Sequence, residues 1–182
     1  MLIKIVFQTR KAEEIVTSVR SYAKEQKLKK SPLSVNEVVT EAVKDFTSTL
    51  QDYPLQIEFE EDPRSPICSL APLEFELAVF NLLKNAKEAL KAQKADEPKL
   101  FIKLSSSETH CFVDISDNGA VISDSDFERM GSVFKSGKAS GLGIGLSIVR
   151  SIVQNHNGSL VLERGKNGGL VCRIRLPIFN AE

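Results

Sequence analysis

Gly141-Leu-Gly-Ile-Gly-Leu-Ser-Ile-Val-Arg150-Ser-Ile-Val-Gln-Asn-His-Asn-Gly158 is the stretch on which the reading of this 182-residue chain turns. Gly141, Gly143 and Gly145 alternate with Leu142, Ile144 and Leu146 and lead straight into an apolar-periodic segment, which predicts a helix from Leu142 to about His156. Glycines there expose consecutive backbone N–H groups, and a helix N-terminus adds partial positive charge, so a triphosphate is the natural ligand. The spacing is neither the GxGxxG dinucleotide fingerprint nor a P-loop, which ends in Lys-Ser/Thr. Lys138, three residues upstream on a Gly/Ser loop, could reach a terminal phosphate; a solvated loop lysine is the alternative.

Upstream, Leu77-Ala-Val-Phe-Asn-Leu-Leu-Lys-Asn-Ala-Lys-Glu-Ala-Leu90 reads as a helix. Asn81 and Asn85 are four apart and share one face with Glu74 and Glu88, while Lys84, Lys87, Lys91 and Lys94 fall on another, as a solvated surface would. Asn is a poor helix former, and an amide oxygen is a hard, neutral ligand suited to Mg²⁺. On the residues alone a structural hydrogen-bond role stays open. Val113-Asp-Ile-Ser-Asp117-Asn-Gly119 alternates as a strand that ends in an acid and a glycine. A carboxylate at a strand end can accept from an adenine amino group, and Gly119 lets a base approach the backbone, although Asp-Asn-Gly is also a common turn.

The remaining chain fills in a mixed α/β pattern. Residues 2–28 look helical, with Ile15, Val19 and Tyr22 on one face, and Ser31-Pro32 stops that helix. A boundary near residue 30 divides a helical segment, 1–30, from a domain at 31–182. Ser34 or Asn36 can cap a helix carrying Val38, Val39, Ala42, Val43 and Phe46. Strands are expected at 55–60, 67–70, 99–105, 111–116, 159–163 and 170–176, with a helix from Pro72 to about Gln93. A Gly-, Ser- and Asp-rich loop is expected over 117–141, mobile from 123 to 140 until phosphate contacts restrain it, and Gly158 ends the last helix. Hairpins mixed with helices fit a two-layer α/β sandwich with helices on one sheet face.

Composition narrows the functions. Lys plus Arg and Asp plus Glu both total 24, so no basic excess points to nucleic acid or to an anionic membrane surface. No apolar run approaches the roughly 20 residues of a membrane-spanning helix. Cys68, Cys111 and Cys172 lie far apart on apolar segments, which suits buried free thiols in a reducing compartment.

An Asn-bearing helix, then Asp-x-Gly, then a Phe-containing loop, then Gly-x-Gly-x-Gly on a helix resembles the N, G1, F and G2 boxes of the histidine-kinase ATPase domain. That domain belongs to the superfamily shared with gyrase-type and heat-shock-chaperone ATPases. The resemblance covers about residues 31–177, and residues 8–28 look like the end of the dimerisation helix that precedes such a domain. It implies a Bergerat-type sandwich with a mixed, mostly antiparallel sheet, preceded by an N-terminal helix. It also implies ATP and Mg²⁺ as ligands, with Asn85 the main metal ligand, Asn81 assisting, and Asp117 the adenine-reading acid. Gly119 would line the adenine pocket, and the segment Gly141, Leu142, Gly143, Ile144, Gly145 and Leu146 would hold the phosphates under a lid. Lys138 matches a lysine often seen in short Phe-Thr-Thr-Lys lids, so Asn85 and Lys138 are the expected catalytic pair.

Three positions depart from the pattern: Val121 replaces a second glycine, Gly131 replaces the first Phe of the F box, and Val171 stands where a Thr often borders adenine. Neither His110, in an expected strand, nor His156, at a helix end, fits the phosphoacceptor position. Met1 opening in mid-helix agrees with a chain lacking that upstream part, which would then be inactive in autophosphorylation. The resemblance therefore implies an ATP-dependent protein histidine kinase domain of two-component signal transduction. Its partners would be its own dimerisation and phosphoacceptor domain and a response regulator, with a homodimer in the intact kinase and neither nucleic acid nor membrane touched by this chain. The location would be cytoplasmic, with inner-membrane anchoring of the intact protein left open. The competing class is a regulatory ATP-binding module, or an anti-sigma-factor-like serine kinase, acting by partner binding.

Overall fold

The computed structural model describes residues 29–132, 142–166 and 168–180. One compact unit spans Ser31–Glu182; the helix expected over 2–28 lies outside the described residues. In chain order the elements are β1 (Ser31–Ser34), α1 (Val35–Ser48), β2 (Gln56–Glu60), β3 (Ile67–Leu70), α2 (Pro72–Ala92), β4 (Lys99–Ser106), β5 (His110–Asp117), α3 (Asp124–Ser132), α4 (Leu142–Asn155), β6 (Ser159–Arg164) and β7 (Leu170–Pro177).

Five strands form one sheet in the order β2-β4-β5-β7-β6, in which only β2 and β4 run parallel. Strict alternation gives it two unlike faces. Leu100, Ile102 and Leu104 of β4, Val113 and Ile115 of β5, and Ile174 and Leu176 of β7 are buried. The intervening residues form a mixed outer face that carries Phe101 and Phe112 alongside charged pairs, where Glu60 pairs with Lys103 at 2.7 Å and Arg173 clasps Asp114 with two 2.7 Å bonds. The buried face meets α2 through Phe75, Val79, Leu82 and Leu83 and α4 through Val149 and Val153. Each fully buried Leu or Phe contributes roughly 1.5–3 kcal/mol, so this interface dominates stability. The architecture is a two-layer α/β sandwich, as the sequence pattern led us to expect.

Ser34 caps α1, its hydroxyl accepting from the Glu37 N–H at 3.4 Å. Val35, Val38, Val39, Ala42 and Phe46 then fall on the face that packs against α2. Three expectations need correction. Ser31-Pro32, expected only as a helix stop, belongs to β1, which pairs antiparallel with β3, from Ser31 opposite Leu70 to Ser34 opposite Ile67. The stretch expected as loop over 117–141 contains α3, begun by Ser123, whose hydroxyl accepts from the Asp126 N–H at 3.2 Å. The helix expected to be ended by Gly158 already stops at Asn155, and the left-handed residue that follows it is Asn157 (φ 57°). Gly158 is required for a different reason, because a Cβ there would run into the Arg175 carbonyl and lie 2.9 Å from Leu176 Cδ2.

Candidate functional site

A cavity of about 90 Å³ opens where the second half of α2 crosses the ends of β5 and β7. Leu82, Ala86 and Ala89 on α2, Ile115 on β5, Ile122, and Leu170 and Cys172 on β7 give it apolar walls, and Leu146 of α4 closes one side. Its polar members are Asn85, Gln93 and Asp117. Helical spacing explains one wall: Leu82, Asn85, Ala86, Ala89 and Gln93 recur at three- and four-residue steps on a single face.

Asp117, 8% exposed, ends β5 at the cavity floor. Its Oδ1 accepts the Gly119 N–H at 2.8 Å and its Oδ2 accepts the Leu170 N–H at 3.2 Å. Burial pushes its carboxyl above the usual carboxylate range, and the bonds from Gly119 and Leu170 oppose that rise without cancelling it. Each oxygen keeps lone-pair capacity for another donor. Glycine is obligatory beside it at 169 (φ 71°), where a Cβ would strike the Asp117 carbonyl and lie 2.7 Å from Oδ1. Burial also pushes the neighbouring Cys172 thiol up to about 12, with the Asp117 charge adding to the effect, so this sulfur is an inert part of the wall. All three cysteines are free and buried.

Asn85 lies at the other end of the cavity. A Cβ on Gly145, in the first turn of α4, would sit 3.1 Å from Asn85 Oδ1, so the glycine permits close approach of that helix to the amide. Asn85 Nδ2 is buried and makes no hydrogen bond among the described residues, which leaves a polar group without the partner a folded interior normally supplies. Asn81 behaves differently: its Nδ2 donates to the Leu77 carbonyl at 2.7 Å within its own helix, and it does not line the cavity.

The structure thus gathers Asn85, Asp117, Leu146 and the Gly145 turn around one cavity, with Gly119 bonded to Asp117. Lys138 and Gly141 lie outside the described residues, as do the side chains of Leu142 and Ile144; Gly143 is in the first turn of α4. Val121 is 81% exposed and off the cavity. Leu170, not Val171, borders the cavity, because alternation along β7 turns Val171 to the opposite sheet face from Cys172. Gln93, Gly169, Leu170 and Ile122 were missed; Gln93 had a signal in its four-residue step from Ala89, whereas the others depend on strand pairing. Lys84, Lys91 and Lys94 are exposed, and Lys87 donates to the Thr49 carbonyl at 3.2 Å.

Neither histidine is placed as an acceptor beside the cavity. His110 lies on the outer sheet face, within 2.9 Å of the Arg175 guanidinium. His156 is 3% exposed, with Nδ1 donating to the Ile152 carbonyl at 2.7 Å and Nε2 accepting the Ala71 N–H at 3.0 Å. Among the described residues no group of three or more His, Cys, Asp or Glu could hold a metal ion, and no helix is long and apolar enough to cross a membrane.

Comparison with known proteins gives this cavity a context. Residues 71–180, which include α2, β5, α4 and β7, match the family model described as histidine kinase-, DNA gyrase B-, and HSP90-like ATPase. The chain is 27% identical to the C4-dicarboxylate transport sensor protein DctS of Rhodobacter capsulatus, over 96% of this chain and 27% of that protein. It is 26% identical to the sensor protein FixL of Bradyrhizobium diazoefficiens, over 93% of this chain and 34% of that protein. It therefore spans about a quarter to a third of the length of these relatives. Among solved structures, the histidine kinase domain of the E. coli osmosensor EnvZ shares 26% identity at a TM-score of 0.64, covering 86% of this chain and 94% of that one. The catalytic domain of histidine kinase ThkA shares the fold at a TM-score of 0.69 and 24% identity, covering 82% and 95%. With the family model matched over more than half of its length, this chain belongs to the histidine kinase-, DNA gyrase B-, and HSP90-like ATPase family, as an ATP-binding catalytic domain of the kind sensor histidine kinases carry.

Proposed function

We propose that this chain binds Mg·ATP in the cavity between α2, α4 and the β5–β7 edge and supplies the γ-phosphoryl group to a histidine on a dimerisation domain. The P–O bond to ADP breaks and a P–N bond to the histidine forms. A response regulator would take the group next, and the intact kinase would act as a cytoplasmic homodimer, with residues 1–30 the end of its dimerisation helix and 31–182 the catalytic domain.

The observation that carries this reading is the buried Asp117 carboxylate at the floor of an apolar cavity whose other end holds Asn85 beside the first turn of α4. Asp117 would accept the adenine amino group, and the apolar walls would sandwich the base and exclude water. The α4 N-terminus, with Gly143 and Gly145, would face the phosphates with N–H groups and a positive dipole end. Asn85 fits a divalent cation through its amide oxygen, a hard neutral ligand, while its Nδ2, which has no hydrogen-bond partner among the described residues, would donate to a phosphate oxygen; Asn81 would assist through its oxygen, its Nδ2 being bonded to the Leu77 carbonyl. What Mg²⁺ supplies when bound is neutralisation of phosphate charge. Catalysis here is mostly positioning and charge stabilisation, and Lys138 would add a cation from the segment before α4.

The test is a titration of the chain with ATP and Mg²⁺, followed by phosphotransfer to an added histidine-bearing dimerisation domain. Saturable Mg²⁺-dependent binding and a labelled, acid-labile phosphohistidine are expected. Binding without transfer to any such domain would return the chain to the regulatory-module class, which the names of its relatives do not favour.

A further inference from the structure

Asp117 can only accept, so it can read only half of a purine edge. Next to the adenine amino donor lies a ring nitrogen that requires a donor. Three side chains lining the cavity carry one: Asn85, Cys172 and Gln93. Asn85 is at the far end, against Gly145, and a thiol is a weak donor. Gln93 is beside the acid: a Cβ on Gly119 would lie 2.6 Å from Asp117 Oδ1 and 2.7 Å from Gln93 Oε1, so the two oxygens flank one point.

The orientation of Gln93 is fixed by chemistry. The Ala120 N–H donates to its Oε1 at 2.7 Å, and an N–H can be answered only by the amide oxygen. Nε2 is therefore the end of this exposed side chain that Ala120 leaves unclaimed, and its two N–H groups make no hydrogen bond among the described residues. The bond to Ala120 already restrains a long side chain, so a second contact from the same amide loses little further rotamer freedom.

We propose that Gln93 is a second base-reading residue, its Nε2 donating to the ring nitrogen beside the adenine amino group. Asp117 and Gln93 then read an acceptor–donor pair that complements adenine and opposes 6-oxo purines, whose same edge presents an acceptor and an N–H. The assignment rests on the nucleotide-binding reading above. It also accounts for a cavity in which Leu170, a side chain without a hydrogen-bonding group, borders the acid.

The test is calorimetric titration of the full chain, with Mg²⁺, against ATP, 1-deaza-ATP (that ring nitrogen replaced by C–H) and inosine triphosphate. Wild type should prefer ATP to 1-deaza-ATP by about five-fold, the size of one ordinary hydrogen bond. Gln93→Glu keeps an acceptor for Ala120 and loses the donor; Gln93→Met loses both without adding charge. Both should bring the ATP to 1-deaza-ATP ratio close to one, and Gln93→Glu should also narrow the preference for ATP over inosine triphosphate. Exchange protection of the Ala120 amide should persist only in Gln93→Glu. A ratio retained in both variants overturns the assignment. A ratio retained in Gln93→Glu and lost in Gln93→Met overturns it too, since Gln93 would then act only by holding Ala120. Should wild type bind no ATP, the nucleotide reading itself fails and this inference with it.

Discussion

His156 and Asp117 are both buried polar side chains beside α2, one near each end, and both hold backbone partners, but the acid keeps accepting capacity beside a cavity whereas the histidine is saturated. At the start of α2, His156 fills both ring nitrogens with backbone partners and stacks at a tilt on Phe75, ring centres 5.9 Å apart. Ala71, the N-cap of α2, has no side-chain cap, and its N–H is met by this histidine from the end of α4. At the other end, burial raises the pKa of the Asp117 carboxyl, and Asn85 Nδ2 has no hydrogen-bond partner among the described residues. A satisfied buried group binds helices together; an unsatisfied one is where a ligand would complete the structure.

Four measurements can break or sharpen that contrast. The largest effect is expected from Asn85→Ala, which should abolish phosphotransfer to a supplied histidine domain and remove the Mg²⁺-dependent part of ATP binding. Wild-type transfer by this variant would make the orphaned amide a packing feature. Asp117→Asn should weaken ATP binding by about 10- to 100-fold, the loss of a charge-assisted hydrogen bond of roughly 1.5–3 kcal/mol in a closed pocket. Unchanged calorimetric affinity in the folded variant would remove Asp117 from base recognition.

His156→Ala should show the reverse profile. Leaving the Ala71 N–H unpaired should cost about 1–3 kcal/mol of stability in denaturant titration, while the folded fraction keeps its affinity for ATP. The smallest effect is expected from pH. Because the folded-state Asp117 pKa is raised, the folded protein holds this proton more tightly than the unfolded chain. Its contribution to stability therefore falls as pH rises from the usual carboxylate value through the raised one. ATP affinity should change in the opposite sense, weakening as pH falls through the raised value and the acceptor is protonated. Asp117→Asn should flatten both slopes; slopes that survive in the variant would belong to another group.

Several features were legible because they are local. The 3.6-residue spacing of α2 set Asn81 and Asn85 on one helical face, of which Asn85 lines the cavity, Pro72 marked the helix start, and the alternation ahead of Asp117 put that acid at a strand end. The glycine series at the start of α4 marked a helix N-terminus with exposed backbone, and Gly145 against Asn85 shows one close approach there.

Other features existed only in three dimensions. Ser31–Ser34 has too few residues to declare a strand, and β1 forms because β3 is available to pair with it. α3 is short and carries few apolar residues; Arg164 of β6 helps hold it, 2.6 Å from Asp124 and over the Phe127 ring at 4.7 Å. Which β7 residue borders the cavity depends on register, and one step of alternation separates Leu170 and Cys172 from Val171. Gln93 needed both: the sequence set its place on the α2 face, but only the fold brings Ala120 within 2.7 Å to orient its amide. Sequence determines a periodicity by itself, because the chain's geometry is local; a hydrogen-bond partner 27 residues away is decided by tertiary packing, which no local pattern encodes.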